Sequence, residues 1–178
     1  QGYALIAVEL PEGAALGRAQ AVAEQATKIA QQIPGVEQVI GIAGMSLLDN
    51  SADLSNAAAL WVVFKPFDDR GKAKGQDLVT IARTLQERLS KEITDGKATV
   101  LPPPPIQGIG NAGGFQMQLE LLGGSFDYQK LSNVTNELVK QAAADPRVGR
   151  ALTTFRLNGP QVVMTVDRER AETLRVSV

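Results

Sequence analysis

The chain has 178 residues, of which 44% are hydrophobic and 21% are charged, and its formal net charge is −1. This length suits one large domain or two small ones, and the near-zero charge gives no basic field to hold a nucleic acid. The sequence contains no histidine and no cysteine, which excludes a Ser-His-Asp triad, thiolate nucleophiles, disulfides and zinc sites built on cysteine. We therefore expect no catalytic residue, no cofactor, no metal site and no nucleic-acid partner.

The first 110 residues alternate between strand-like and helix-like patterns. The predicted elements, in chain order, are a strand at 2–10, a helix at 16–33, strands at 36–42 and 58–65, a helix at 78–93 and a strand at 98–101. Between the second and third strands, residues 44–56 are rich in Ser, Asp and Asn and predict a long polar loop, a kind that is often functional. The order βαββαβ predicts an α+β, ferredoxin-like subdomain with two helices on one face of an antiparallel sheet.

A glycine-rich linker at 108–114 precedes a second, shorter pattern. Its predicted elements are a strand at 115–121, a helix that Asp127 caps and Asp145 ends, strands at 148–155 and 161–166, and a short helical segment at 167–174. This βαββ order is an incomplete copy of the first unit, so we expect its sheet edge to be exposed or completed from elsewhere. No run of about 18 apolar residues and no signal peptide is found, and both ends are expected to be cut from a longer chain.

Several short motifs occur along the chain in a characteristic order. They are Gln1-Gly2, Val8-Glu9-Leu10-Pro11-Glu12-Gly13-Ala14, Phe64-Lys65-Pro66-Phe67-Asp68-Asp69-Arg70, Gly114-Phe115-Gln116-Met117, Asn158-Gly159 and Val166-Asp167-Arg168-Glu169-Arg170-Ala171. In this order and spacing they resemble the periplasmic porter region of resistance-nodulation-division (RND) multidrug efflux transporters, in the branch that exports hydrophobic and amphiphilic compounds. The resemblance covers essentially the whole chain.

The resemblance implies a role in transport and no enzymatic activity. Residues 1–110 would form the first porter-type subdomain of the second periplasmic half, and residues 111–178 would begin the next one, truncated at its C-terminal end. In the family, small hydrophobic or amphiphilic substrates bind between such subdomains of a homotrimer in the bacterial inner membrane. Proton flow through the membrane helices of the same chain drives the pump, which works with a periplasmic adaptor and an outer-membrane channel.

The same resemblance implies a set of site residues. Residues Gly44-Met45-Ser46-Leu47 match the switch loop between two drug pockets, with Met45 and Leu47 where the family pattern has Phe. Trp61 matches an aromatic position of the deep pocket. The substrate-binding residues implied are Met45, Ser46, Leu47, Trp61, Phe115 and Met117. Apolar side chains with few fixed polar partners suit varied ligands, and Met adapts its shape to them.

Plainer interpretations remain open at this stage. Trp61 and the segment with Phe115 and Met117 can simply face a core, residues 44–47 can be an ordinary surface loop, and the charged run 68–72 is typical of a solvated turn. A free-standing pair of ferredoxin-like units that binds a small regulatory molecule has the same pattern. A heavy-metal exporter of the same family would need converging thioethers, and Met45, Met117 and Met164 are the methionines present. Arg175 stands where the family usually has Gly.

Overall fold

The computed structural model describes residues 2–49, 52–70, 75–103, 115–122, 124, 126–148, 150–157, 159 and 164–175. Over these residues the chain is a mixed α/β structure with a four-stranded antiparallel sheet. The elements are β1 (Tyr3–Glu9), α1 (Leu16–Gln31), β2 (Val36–Ser46), β3 (Ala52–Phe64), α2 (Phe67–Arg70), α3 (Leu78–Glu92), β4 (Lys97–Leu101), α4 (Tyr128–Ala144) and α5 (Arg168–Thr173).

The sheet has the strand order β2-β3-β1-β4, and each neighbouring pair is antiparallel. The register places Leu5 of β1 opposite Trp61 of β3 and opposite Leu101 of β4, while Ile40 of β2 lies opposite Trp61. Cross-strand partners point to the same side of a sheet, and successive residues point to opposite sides. These four side chains therefore form one row across the sheet.

Helices α1 and α3 pack on the other side of the sheet and form the main core with it. The largest fully buried side chains there are Ile6, Val8, Leu60, Val62, Ile81, Leu85 and Leu89. Both predicted helices are confirmed, and each buries one apolar stripe, which in α3 consists of Ile81, Leu85 and Leu89. Full burial of one such side chain contributes about 2 kcal/mol. The helices therefore cover the sheet face that carries these large apolar side chains.

The polar loop predicted for residues 44–56 is wrong, because the two strands continue through most of it as a hairpin. The ladder runs on from Ala43 to pair Met45 with Asp53 and Ser46 with Ala52. A register shift at this point leaves Gly44 unpaired with a φ of +89°, a conformation that glycine adopts without strain. The local composition indicated a loop, but ladder hydrogen bonds and tertiary packing override such weak preferences.

The charged run that the sequence assigns to a solvated turn is exposed at Asp68 and Asp69 but buried at Arg70, and residues 71–72 lie outside the described residues. Its first residues form the single turn α2, and Arg70 at the end of this turn is 5% exposed. The Arg70 Nε donates to the Lys65 carbonyl oxygen at 2.7 Å, and Nη1 donates to the Gln76 carbonyl oxygen at 3.2 Å. Its guanidinium lies 5.1 Å from the centroid of the Phe64 ring. Arg70 therefore fastens the β3–α3 connection to the end of β3.

In the second unit the predicted helices form, but the predicted strands do not form within the described residues. Asp127 caps α4 by accepting from the Lys130 N–H at 2.9 Å, and Asp167 caps α5 by accepting from the Arg170 N–H at 3.0 Å. The described residues of 115–121, 148–155 and 161–166 contain no strand. Residues 161–163 and the predicted linker 108–114 lie outside the described residues. A strand needs a neighbour to pair its backbone groups, whereas a capped helix satisfies most of its own.

Arg175 has a φ of 57° and follows the last turn of α5, where its N–H donates to the Glu172 carbonyl oxygen at 3.0 Å. This is the position after a helix C-cap at which Gly is favoured, because a left-handed backbone costs a residue with a Cβ about 1 kcal/mol. The end of α5 therefore favours Gly at this position, where the chain has Arg.

Candidate binding surface

A second, smaller apolar cluster lies on the sheet face that α1 and α3 leave uncovered. Its buried members are Leu5, Ala7, Leu47 and Ala59, and Tyr3, Met45, Leu48, Trp61 and Leu101 pack against them as partly buried side chains. In β1 the residues of this cluster alternate with residues of the main core, as side chains on the two faces of a strand must. The helix-free face is therefore apolar along the middle of the sheet.

Trp61 occupies the centre of this helix-free face and is half-buried. Beside it on β2, Ile40 is 47% exposed and Ile42 is 45% exposed, and they lie opposite Trp61 and Ala59 respectively. Large apolar side chains that adjoin one another and stay exposed are typical of binding surfaces. These two isoleucines could not be singled out from the sequence, because their alternation is visible there but does not reveal which face of the strand is uncovered.

The tip of the β2–β3 hairpin closes one side of the cluster. Met45 packs against it, and Leu47 is 8% exposed within it. The Ser46 side chain is 2% exposed, and its Oγ donates to Asp49 Oδ2 at 2.8 Å and accepts from the Asp49 N–H at 3.2 Å. Met45, Leu47 and Trp61 are thus brought together, whereas the Ser46 hydroxyl stabilises the turn.

Phe115 and Met117 are not part of this cluster. Phe115 is 84% exposed and Met117 is 58% exposed, so neither faces a core in this structure. Met164 is 83% exposed, whereas Met45 packs on the sheet, so the three methionines have different surroundings. In the part of the chain that the structure describes, no group of three or more acidic side chains is placed to hold a metal ion.

A charged site that sequence analysis missed lies at the end of the sheet near the hairpin tip. Arg156 forms ion pairs there with Glu9, with Glu12 at 2.8 Å and with Asp49 at 3.5 Å. An open cleft of about 450 Å³ adjoins it, lined by Glu9, Leu10, Pro11, Glu12, Thr94, Asp95, Gly96, Lys97 and Arg156. No local pattern could have indicated this site, because Arg156 is 147 residues from Glu9 in the sequence.

Two carboxyl groups have clearly lowered pKa values, and both lie away from the apolar cluster. Hydrogen bonds from the side chain and then the backbone N–H of Thr80 lower the pKa of Asp77, the N-cap of α3. Hydrogen bonds from the side chain and backbone of Arg147 lower the pKa of Asp145. Both shifts come from local capping and turn contacts, so they indicate structural roles for these carboxylates.

Within the described residues, no helix is both long enough and apolar enough to cross a membrane. The face opposite the helices is an apolar surface that is built from the four-stranded sheet and the hairpin tip. Such a surface can bind an apolar ligand by burial of area, with little directional bonding.

Comparison with known proteins identifies the family of this chain. The profile of the AcrB/AcrD/AcrF family matches residues 1–178. The multidrug export protein AcrF of Escherichia coli (strain K12) is 32% identical over 184 residues, which cover 100% of this chain and 17% of AcrF. The solvent-resistant pump membrane transporter SrpB of Pseudomonas putida is 26% identical over 180 residues, and the multidrug resistance protein MdtF of E. coli (strain K12) is 26% identical over 186 residues. In both cases the match also covers 100% of this chain and 17% of the relative.

The chain therefore spans a small part of the length of these relatives. Because the family profile matches all of its residues, the chain belongs to the AcrB/AcrD/AcrF family of RND multidrug efflux transporters.

Proposed function

We propose that this chain is a periplasmic porter portion of a proton-driven RND efflux pump, and that its helix-free sheet face lines the substrate path. The observation that carries the proposal is the apolar cluster in which Met45, Leu47 and Trp61 meet beside the exposed Ile40 and Ile42. The names of the relatives add support, since they describe export of drugs and solvents. They favour this role over a metal exporter, and the family membership favours it over a free-standing regulatory module.

Ligand binding at this face would depend on the apolar area that is buried more than on directional hydrogen bonds. Each 100 Å² of apolar surface that a ligand covers contributes about 2.5 kcal/mol. The Trp61 ring offers a flat surface for stacking, and the Met45 thioether can change rotamer to fit different shapes. The Ser46 hydroxyl is already hydrogen-bonded to Asp49 within the turn. The cluster therefore offers few polar groups that would disfavour a poorly matched ligand. These properties suit a broad range of hydrophobic and amphiphilic substrates.

We also propose the division into two subdomains, residues 1–110 and 111–178. The order β1-α1-β2-β3-α3-β4 and the strand order β2-β3-β1-β4 support a ferredoxin-like first subdomain, with the turn α2 inserted after β3. In the second, the exposed Phe115 and Met117 can pack with other parts of the same transporter, where they would line a second substrate pocket, nearer the entrance of the path than the deep pocket. The proposal includes a homotrimer that works with a periplasmic adaptor and an outer-membrane channel. It includes no enzymatic activity.

The test of the binding surface is a substitution of Trp61 in the full-length transporter that contains this chain. Cells that rely on the Trp61→Ala pump should become more susceptible to several amphiphilic dyes at equal pump expression. A lost ring contact of about 1.4 kcal/mol corresponds to tenfold weaker dye binding. The Trp61→Phe pump should retain most of the resistance, because it keeps an aromatic face.

The matched control is Phe67→Ala, which removes an aromatic ring that is 76% exposed and outside the cluster. It should leave susceptibility unchanged. Normal resistance to every dye with Trp61→Ala, at unchanged expression and trimer content, would contradict the proposal that this face lines the substrate path.

A further inference from the structure

Arg156 occupies a position where three carboxylates from separate parts of the first unit converge. Glu9 lies at the end of β1, Glu12 follows in the turn before α1, and Asp49 lies at the hairpin tip. All three pair with the one guanidinium, whose side chain is 30% exposed, while the carboxylate side chains are between 19% and 34% exposed. Without the arginine, three like charges would face one another in partly dehydrated surroundings, which is unfavourable.

The Arg156–Asp49 ion pair adjoins the apolar cluster, because Asp49 is bonded to Ser46, which lies between Met45 and Leu47. Asp49 Oδ2, which accepts from Arg156, also accepts from Ser46 Oγ at 2.8 Å. The Asp49 N–H returns a hydrogen bond to the same Ser46 oxygen at 3.2 Å, and the Asp49 carbonyl accepts from the Ala52 N–H at 3.1 Å. Asp49 is therefore the residue that closes the hairpin tip. Its carboxylate orientation depends on the two groups bound to it, Ser46 and Arg156.

The segment that carries Arg156 has a second attachment to the first unit. Arg150 Nη1 donates to Gln86 Oε1 at 3.0 Å. Gln86 itself joins α3 to β4, because its Nε2 donates to the Ala98 carbonyl at 3.0 Å and its Oε1 accepts from the Val100 N–H at 2.9 Å. Residues 150–157 thus contact the first unit both at Gln86 of α3 and at the hairpin tip.

We infer that Arg156 is a positioning residue that couples the segment 150–157 to the hairpin tip and so holds Met45 and Leu47 against the sheet. Displacement of this segment withdraws the guanidinium from Asp49, and the Ser46–Asp49 turn loses one of its two supports. The hairpin tip then opens more readily, which exposes the buried Leu47 of the apolar cluster. This coupling is a property of the fold; its consequence for transport rests on the proposed function.

Hydrogen exchange in the 178-residue chain tests the coupling without any ligand. In Arg156→Gln, the amides of Asp49 and Ala52 should exchange about fivefold faster, the factor expected for the loss of a small ion-pair network. The Ile6 amide in the middle of β1 should keep its rate, because the core is untouched. The matched control is Arg147→Gln, since Arg147 is an 87% exposed arginine that pairs with Asp145; it should change neither rate.

A double-mutant cycle separates positioning from a general structural role. In an Asp49→Asn background, Arg156→Gln should accelerate exchange at Ala52 much less than it does alone, because the shared contact is already weakened. Arg156→Lys should restore part of the protection, since it keeps the charge but not the fork of donors. The coupling is refuted by unchanged exchange at the hairpin tip, by equal acceleration at Ile6, or by additive effects in the cycle. A failure of the dye experiment with Trp61→Ala would leave these exchange results intact, so the two proposals fail separately.

Discussion

Replacement of Arg70 by Met should destabilise the chain by about 3 kcal/mol, although the sequence assigns this residue to a solvated charged turn. Arg70 is 5% exposed in the structure, and the substitution keeps an apolar stem of similar length while it removes the guanidinium. The carbonyls of Lys65 and Gln76 lose donors at 2.7 and 3.2 Å, and the Phe64 ring loses a cation at 5.1 Å.

The magnitude follows from the surroundings of each lost contact. Hydrogen bonds from a charged donor contribute up to about 3 kcal/mol each, but Lys65 is exposed and Gln76 is partly exposed. Water can therefore replace part of each bond, and about 1 kcal/mol apiece is the better value. The cation over the Phe64 ring adds about 1 kcal/mol.

Urea unfolding, followed by the fluorescence of Trp61, measures this effect, because the chain has one tryptophan. With a slope of about 2 kcal/mol per molar, the midpoint of Arg70→Met should fall by roughly 1.5 M. Arg70→Lys should lie between the wild type and Arg70→Met. The control Arg83→Met changes an exposed arginine on α3 and should stay within about 0.5 kcal/mol. A midpoint for Arg70→Met equal to that of the control would refute the role of Arg70 as a clamp.

Two further predictions concern the hairpin and the helix cap. Gly44→Ala should lower the free energy of unfolding in urea by about 1 kcal/mol or more, because the φ is +89° and the new Cβ would lie 3.1 Å from Leu16 Cδ1. Adding Leu16→Ala should remove the steric contact but leave the cost of the left-handed backbone. Full recovery of stability in this double variant would contradict a backbone cost at Gly44. The second prediction concerns pH, because hydrogen bonds from Thr80 lower the pKa of Asp77 below its usual 3.8. The charged cap therefore stabilises the fold fully above pH 3.8, and this stabilisation is lost as the pH falls through the lowered pKa. Asp77→Asn keeps a capping side chain without the charge and should weaken the decline of the urea midpoint on acidification; an unchanged decline would argue against the cap as its source.

The elements of the first unit were largely predictable, because their signals lie in neighbouring residues. Ile81, Leu85 and Leu89 recur at helical spacing, and this stripe is the buried face of α3. In the second unit the cap Asp127 was visible for the same reason, whereas the capping role of Asp167 was found only in the structure. The hairpin tip was not predictable, because its strands are stabilised by their mutual ladder and by the burial of Leu47, while the polar composition of the tip favours a loop.

The candidate site was predictable in part, and through the family resemblance alone. Met45, Leu47 and Trp61 were selected from motif positions, and the structure brings them together in one cluster. The assignment of Phe115 and Met117 to a binding pocket stays a prediction, because these residues are exposed here and their neighbours belong to other parts of the transporter in the proposed assembly. The role of Ser46 in the turn required the coordinates, since a serine in a polar stretch has many equivalent partners.

By itself the sequence determined most of the helices and strands of the first unit, the cap of α4 and the resemblance to a transporter family, since each depends on residue types in local patterns. The tertiary structure decided which face of the sheet is uncovered, that Arg70 is buried, and that Arg156 meets Glu9 and Asp49. Those contacts join residues up to 147 positions apart, and a pairing at that distance arises only after the sheet and helices have packed. Local patterns specify the elements, but the free energy of packing selects which of their side chains come together.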